Sequence, residues 1–166
     1  MRQIRYFVLL IVLIFVSHLS WAQSKNTDKI NLQKIIFHSS ICEGTCPKID
    51  FQVDSKKNIV VNREYVDTIY RKDESKSGHF KGVLNDTTYN QLLLVLKKSN
   101  FKRLKFPDID CCDGIITTII IYSDNKRTYL KSMTPPTEAL ELISFLYKIG
   151  AETRLTKTND ETTFEE

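Results

Sequence analysis

Residues 32–53 read LQKIIFHSSICEGTCPKIDFQV, and this stretch predicts the centre of the fold. Its first part, Leu32 to His38, holds a run of bulky apolar side chains and indicates a largely buried strand. Its last part, residues 48–53, alternates polar and apolar side chains, as a strand with one solvated face does. The turn Ser40–Pro47 between them contains two cysteines, a glycine and a proline. The stretch therefore predicts two strands joined by a cysteine turn.

The same patterns outside this stretch predict further strands and two helices. Strands are expected at residues 59–61, 65–70, 79–84, 115–122 and 128–133, with a tight turn at Asp124-Asn125. A helix follows the Asn85 cap, and a second helix opens at Thr134-Pro135-Pro136 and stops at Gly150. This order predicts an α+β fold, an antiparallel β-sheet with two α-helices packed on one face, in a single domain at residues 31–150.

The first 22 residues have the order of a secretory signal peptide. Arg2 and Arg5 precede an apolar run from Tyr6 to Val16, and Ser20 and Ala22 form a small-x-small ending. The alternative is an uncleaved anchor, but the apolar run is shorter than the roughly 20 residues that a span needs. We expect cleavage after Ala22, no membrane span afterwards, and a periplasmic or secreted protein. Residues 23–30 then form a flexible lead-in, and residues 151–166 a polar, unstructured C-terminal tail.

Charge and composition exclude some partners. Removing residues 1–22 from 166 leaves 144, and the formal net charge falls from +4 to +2 because two arginines leave. A charge this small gives no reason to expect nucleic acid as a partner. The even count of four cysteines in an exported chain makes disulfides the default.

The cysteine turn has three interpretations. Cys42 and Cys46 could form a local disulfide worth about 2 kcal/mol, with Gly44 allowing the bend and Pro47 setting the entry to the next strand. They could be a redox pair, although Glu43 disfavours a thiolate. They could also bind Cu(I), with His38 or His79 as a third ligand. We favour the disulfide.

Cys111 and Cys112 leave the connectivity open. They could bond to each other, stay free, or cross to the first turn with one cysteine of each pair per bond. A zinc site of all four cysteines is disfavoured, because adjacent residues rarely both point inward.

Several of these features resemble an exported bacterial family known as domain of unknown function 6438. The matching pieces are Cys42-Glu43-Gly44-Thr45-Cys46-Pro47, Phe101-Lys102-Arg103-Leu104 and Asp113 just before the long strand. The resemblance runs from Lys34 to Ile149. It implies an exported small α+β domain and brings no activity, cofactor or catalytic residue.

Other candidate sites do not reach a recognisable motif. Asp108, Asp110 and Asp113 with Gly114 fail the spacing of a calcium loop, since position five is Cys112. His38 and His79 have no nucleophile at a motif spacing, and a hydrolase would need a pocket that places one of them beside an acid.

The sequence therefore favours a non-enzymatic binding or structural module of the cell envelope, with no catalytic residue, metal or cofactor. Its partner would be a protein or envelope component that contacts the edge strands or the loops at 71–78 and 107–114. The alternative is a thiol-redox or Cu(I)-binding protein that uses the Cys-x-x-x-Cys-Pro turn.

Overall fold

The computed structural model describes residues 30–41, 46–69, 71–108, 114–152 and 154–166. These residues form strands β1 (Leu32–Ser39), β2 (Lys48–Asp54), β3 (Asn58–Glu64), β4 (Gly78–Val83), β5 (Thr117–Ser123), β6 (Lys126–Ser132) and β7 (Thr156–Thr158). The helices are α1 (Asp86–Lys98) and α2 (Leu140–Glu152), and a 3-10 turn at Thr137–Ala139 leads into α2. The predicted signal peptide and nearly all of the lead-in lie outside the described residues.

All strands belong to one sheet in the order β6-β5-β1-β2-β3-β4-β7. Every neighbouring pair is antiparallel. The middle strand is β2, and β1 lies beside it with Phe37 between Phe51 of β2 and Ile119 of β5. The prediction of an antiparallel sheet with two helices on one face, in a single α+β domain, is confirmed.

The core lies between one face of the sheet and the two helices. Ile35 and Phe37 of β1 contribute to it together with Phe51 of β2, and all three are fully buried. The helices contribute the buried faces predicted by their 3.6-residue spacing: Leu92 and Leu96 of α1, and Leu142, Leu146 and Ile149 of α2. Since each such side chain contributes about 1.5–3 kcal/mol on burial, this layer stabilises the sheet on which the site is built.

Local signals in the sequence are also confirmed. The side chain of Asn85 accepts a hydrogen bond from the Thr88 N–H at 2.8 Å and caps α1. Asp124 and Asn125 have φ angles of +52° and +59°, the left-handed pair that a two-residue type I′ hairpin requires.

Two local predictions are wrong. Residues 65–69 do not form a strand, because only an isolated bridge joins Val66 to Lys72 in this part of the chain. Gly150 does not end α2, which continues to Glu152. Gly150 instead lies where the helix touches the sheet, since a Cβ there would overlap Ile49 and approach Phe51 Cδ1 to 3.2 Å.

Residues 154–166 differ most from the expectation of an unstructured tail. β7 pairs with β4 and forms one edge of the sheet. Residues 159–166, which we call the strap, contact side chains of β1, β4, β5 and β6. A polar composition predicts disorder when a segment has no binding partner. Here the edge of the sheet pairs with β7, and lysine and arginine side chains of the sheet bind the acids of the strap. Neither helix of the described residues has the length and apolar character that a membrane span requires.

Candidate functional site

The candidate site lies on the face of the sheet opposite the helices. Because side chains alternate along a strand, Lys34, Ile36 and His38 of β1 point to this face when Ile35 and Phe37 point to the core. Ile36 and its partner Ile120 on β5 are fully buried although they do not belong to the core cluster. We call this the open face, since the helices do not cover it.

His38 is held on the open face by two hydrogen bonds. Its Nδ1 lies 3.0 Å from Asp50 Oδ1 on the neighbouring strand, and its Nε2 lies 2.8 Å from the backbone carbonyl oxygen of Glu165 in the strap. Both partners are acceptors, and a neutral imidazole has only one N–H to donate. The ring can donate to both acceptors at once only in its doubly protonated, cationic form.

The electrostatics of His38 agree with this geometry. Burial alone lowers the pKa of His38, but the hydrogen bonds to Asp50 and to the Glu165 carbonyl, and the charges of Asp50 and Glu166, raise it above the ordinary 6.5. Lys48 of β2 also approaches Asp50, with Nζ 3.8 Å from Oδ2.

The carboxylate of Glu165 is bound by three strands at once. Tyr122 of β5 donates to Oε1 at 2.7 Å, Arg127 of β6 donates to the same oxygen at 3.0 Å, and Lys34 of β1 donates to Oε2 at 3.3 Å. The hydrogen bond from Tyr122 lowers the pKa of the Glu165 carboxyl, and the bonds from Arg127 and Lys34 lower it further. These donors form a preorganised carboxylate site, because each is fixed on a strand.

A pocket of about 360 Å³ opens beside His38. Strands β1, β2, β5 and β6 contribute His38, Asp50, Thr118, Tyr129 and Lys131, and the strap closes one side with Thr163, Phe164 and Glu166. The Phe164 ring meets the His38 ring edge-on, with centroids 6.2 Å apart. Lys131 has no ion-pair partner among the described residues, so the pocket has an unpaired cation at its wall.

The structure thus places His38 beside an acid in a pocket, which the hydrolase interpretation required. A catalytic histidine also needs a ring nitrogen that reaches a nucleophile or a substrate proton. Here both nitrogens are hydrogen-bonded, to Asp50 and to the strap. In this arrangement His38, oriented by Asp50, binds the backbone of the strap.

His79 is not part of this group. It lies on β4 opposite Asn62 of β3, and its Nδ1 is buried without a hydrogen-bond partner in the described part of the protein.

Most of the predicted thiol site lies outside the described residues. This applies to Cys42, Gly44, Cys111, Cys112 and Asp113, so the connectivity stays a prediction. Cys46 is described and is not a free thiol. Pro47 directly precedes β2, as the turn pattern predicts.

In the ranges that the structure describes, no group of three His, Cys, Asp or Glu side chains converges to hold a metal ion. His38, named as a possible copper ligand, has both nitrogens in hydrogen bonds.

The family model described as "Domain of unknown function (DUF6438)" matches residues 33–149, which is more than half of the chain. The chain belongs to this family. No curated protein matches it.

The family match covers His38 and Asp50 but ends before the strap. Sequence reasoning missed the residues that bind Glu165, namely Lys34, Tyr122 and Arg127. A signal was present, since β1, β5 and β6 contain five basic or histidine residues and no acid: Lys34, His38, Lys126, Arg127 and Lys131. The strap ends in the complementary sequence Phe164-Glu165-Glu166.

Proposed function

We propose that this chain is exported and acts as a non-enzymatic binding module of the cell envelope, with its domain stabilised by a Cys42–Cys46 disulfide. The order of basic, apolar and small residues in the first 22 positions supports export to the periplasm or the medium. The state of Cys46, which is not a free thiol, supports the disulfide.

The observation that carries the binding role is the pocket beside His38. Its volume of about 360 Å³ falls in the range of ligand pockets, and charged, hydroxyl and aromatic groups share its wall. Four strands of one sheet, β1, β2, β5 and β6, carry these groups. Tyr129, which is 43% exposed, lies at its rim, as aromatic side chains do in many interfaces.

Site-specific photo-crosslinking in the exporting cells tests this role. A photoreactive aromatic residue replaces Tyr129, and we expect an adduct with an envelope component after irradiation. The matched control carries the same residue at Leu94, which is 55% exposed on α1, on the opposite side of the sheet. Adducts that are absent, or the same at both positions, contradict a binding role for the open face.

Mass mapping of the natively purified protein tests the cysteine assignment. We expect one peptide pair linked through Cys42 and Cys46, with Cys111 and Cys112 bonded to each other or free, and no bound metal. Titratable thiols at Cys42 and Cys46, with stoichiometric Cu(I) uptake that Cys46→Ser abolishes, would instead establish the redox or copper-binding alternative.

A further inference from the structure

We propose that the open face around His38 is a binding site for an extended acidic peptide that contains an aromatic residue followed by glutamate. In this structure the strap occupies that site in cis, and a partner segment of the same chemistry binds by displacing it. This inference rests on the proposed binding role and names the ligand class for it.

The first support is charge complementarity. The strands that receive the strap, β1, β5 and β6, contain no acidic residue, whereas the strap sequence Asn-Asp-Glu-Thr-Thr-Phe-Glu-Glu contains four. Without the strap, the open face would present Lys34 and Arg127 at one end and His38 and Lys131 at the other. The neighbouring strand β2 adds two acids, Asp50 opposite His38 and Asp54 opposite Lys34, so cations still outnumber acids on these strands. Such a surface attracts an acidic segment and orients it.

The second support is that the contacts recognise three separate features of a peptide: a carboxylate, a backbone carbonyl and an aromatic ring. The donors Lys34, Tyr122 and Arg127 bind the carboxylate of Glu165, and His38 donates to the backbone carbonyl of the same residue. The Phe164 ring packs edge-on against His38 and lines the pocket. Every peptide has a backbone carbonyl, so the contact from His38 does not distinguish one sequence from another. The contacts to the glutamate carboxylate and to the aromatic ring depend on the side chains, so these two residues determine specificity.

The third support is that the strap is attached in a way that allows release. No backbone-to-backbone hydrogen bond in the described residues joins it to the sheet. Side chains hold it at two points, one at Glu165 and one at Asp160, which pairs with Lys81 at 2.7 Å. The ion pairs Asp160–Lys81 and Glu165–Arg127 are exposed, and exposed pairs are weak individually. The other contacts of Glu165 are part-buried, and the covalent tether to β7 adds to them by raising the local concentration of the strap. A partner with more contacts can replace it.

Fluorescence polarisation with a labelled peptide of residues 159–166 tests the proposal. The protein variants are the unmodified chain and a strap-released form, Phe164→Ala with Glu165→Ala, which leaves every strand residue of the site intact. A strap that is bound about nine-tenths of the time lowers the apparent affinity about tenfold. We therefore expect the strap-released form to bind the peptide about tenfold more tightly.

Matched controls separate specific binding from attraction between charges. Glu161→Gln removes one exposed acid from the strap without removing a contact and should leave affinity as in the unmodified chain. In the strap-released form, Lys34→Ala with Arg127→Ala should weaken binding about tenfold, because two charge-assisted hydrogen bonds are lost. Lys126→Ala, on the same strand as Arg127 but outside the site, should have no effect.

Two results would overturn the proposal. One is a strap-released form that is folded by circular dichroism and binds no more tightly than the unmodified chain. The other is equal binding of a peptide with Phe164→Ala or Glu165→Gln, which would identify a general anion surface. If the strap-released form does not fold, titration of the unmodified chain with excess peptide replaces it. With unlabelled peptide and isotope-labelled chain, the NMR signals of the chain's own Phe164 and Glu165 must then shift as the strap leaves, and unchanged signals refute displacement.

These outcomes are distinct from failure of the proposed function. Photo-crosslinking at Tyr129 without peptide binding would keep the binding module and reject this ligand class. Peptide binding without any adduct in cells would keep the peptide site and reject an envelope partner at this face.

Discussion

At the scale of single residues, His38 connects the sheet to the strap. It lies on β1, bonds to Asp50 on the neighbouring strand β2 and binds the Glu165 carbonyl of the strap. The second bond requires the cationic ring, because the first already uses the one N–H of a neutral imidazole. Protonation of His38 and binding of the strap are therefore linked.

This linkage predicts a pH dependence. The folded-state pKa of His38 is raised, so its stabilisation is complete below about pH 6.5 and is lost as pH rises through the folded pKa. The pKa of Glu165 is lowered, so its stabilisation is present above about pH 4.5 and is lost as pH falls through its folded pKa. We expect the strap to be most firmly bound between these limits.

The melting-temperature difference between the unmodified chain and His38→Gln measures this effect. It should be largest near pH 5.5 and shrink towards pH 8.5; a difference that grows with pH contradicts the assignment. Charged and titratable groups face His38 from each neighbouring element: Lys34, Lys48, Asp50, Lys131, Glu165 and Glu166.

A second residue-scale prediction concerns Gly150. A methyl group there would overlap Ile49, which is fully buried in β2 and cannot move aside. We expect Gly150→Ala to lower the free energy of unfolding by about 1–3 kcal/mol, the usual cost of overpacking, despite the higher helix propensity of alanine. Gly114→Ala is the control, because its Cβ would meet Met133 Cβ at an ordinary 3.7 Å and should cost little. Denaturant unfolding of both variants checks this.

At the scale of elements, Arg63 connects its own strand, β3, to three others: α2, the 71–78 loop and β4. From β3 its Nη1 donates to the carbonyls of Gly150 and Ala151 in the last turn of α2, and its Nε donates to the Lys76 carbonyl in the 71–78 loop. Its guanidinium also lies 4.1 Å from the centre of the Phe80 ring of β4. A cation at a helix C-terminus offsets the negative end of the helix dipole. Only the planar guanidinium of arginine has separate N–H groups that can donate to the helix carbonyls and to the Lys76 carbonyl at the same time.

We therefore expect Arg63→Lys to destabilise the protein by about 2 kcal/mol, although the charge is conserved. Arg71→Lys serves as the control, because Arg71 makes only an exposed pair with Asp67 and its loss should leave the melting temperature unchanged. Chemical denaturation measures both. An Arg63→Lys variant as stable as the parent would show that the three elements hold together without it.

At the scale of the whole molecule, the predicted disulfide would close only a short loop, and the sheet is already stabilised by a buried hydrophobic core. Changing both Cys42 and Cys46 to Ser should lower the free energy of unfolding by about 2 kcal/mol and leave the circular dichroism spectrum unchanged. An unchanged melting curve contradicts the staple. The double change of Cys111 and Cys112 to Ser, measured in parallel, shows whether the second pair contributes.

Export is tested by the intact mass of the secreted or periplasmic protein. Cleavage after Ala22 predicts a chain that begins at Gln23 and has lost residues 1–22. Retention of the full mass in the membrane fraction contradicts the signal-peptide interpretation and favours an anchor.

The sequence by itself determined most of the elements and both layers of this protein, but it predicted a strand at residues 65–70 that does not form and missed β7. Period-two alternation in residues 48–53, the Asn85 cap and the Asp124-Asn125 turn are local signals, and local signals can be interpreted without knowing what lies nearby. They sufficed for the α+β fold and the single sheet. Even so, Gly150 was misassigned, because a helix-ending glycine and a glycine at a close contact look identical in a sequence.

Only the tertiary structure decided the site. His38 and Asp50 are 12 residues apart, and His38 and Glu165 are 127 apart, so their meeting depends on strand order and on the path of the strap. No periodicity encodes such distant pairings, since each depends on how the whole sheet is assembled. The polar end of the chain could be interpreted as a bound segment only once hydrogen-bond donors of three separate strands were seen to converge on one carboxylate.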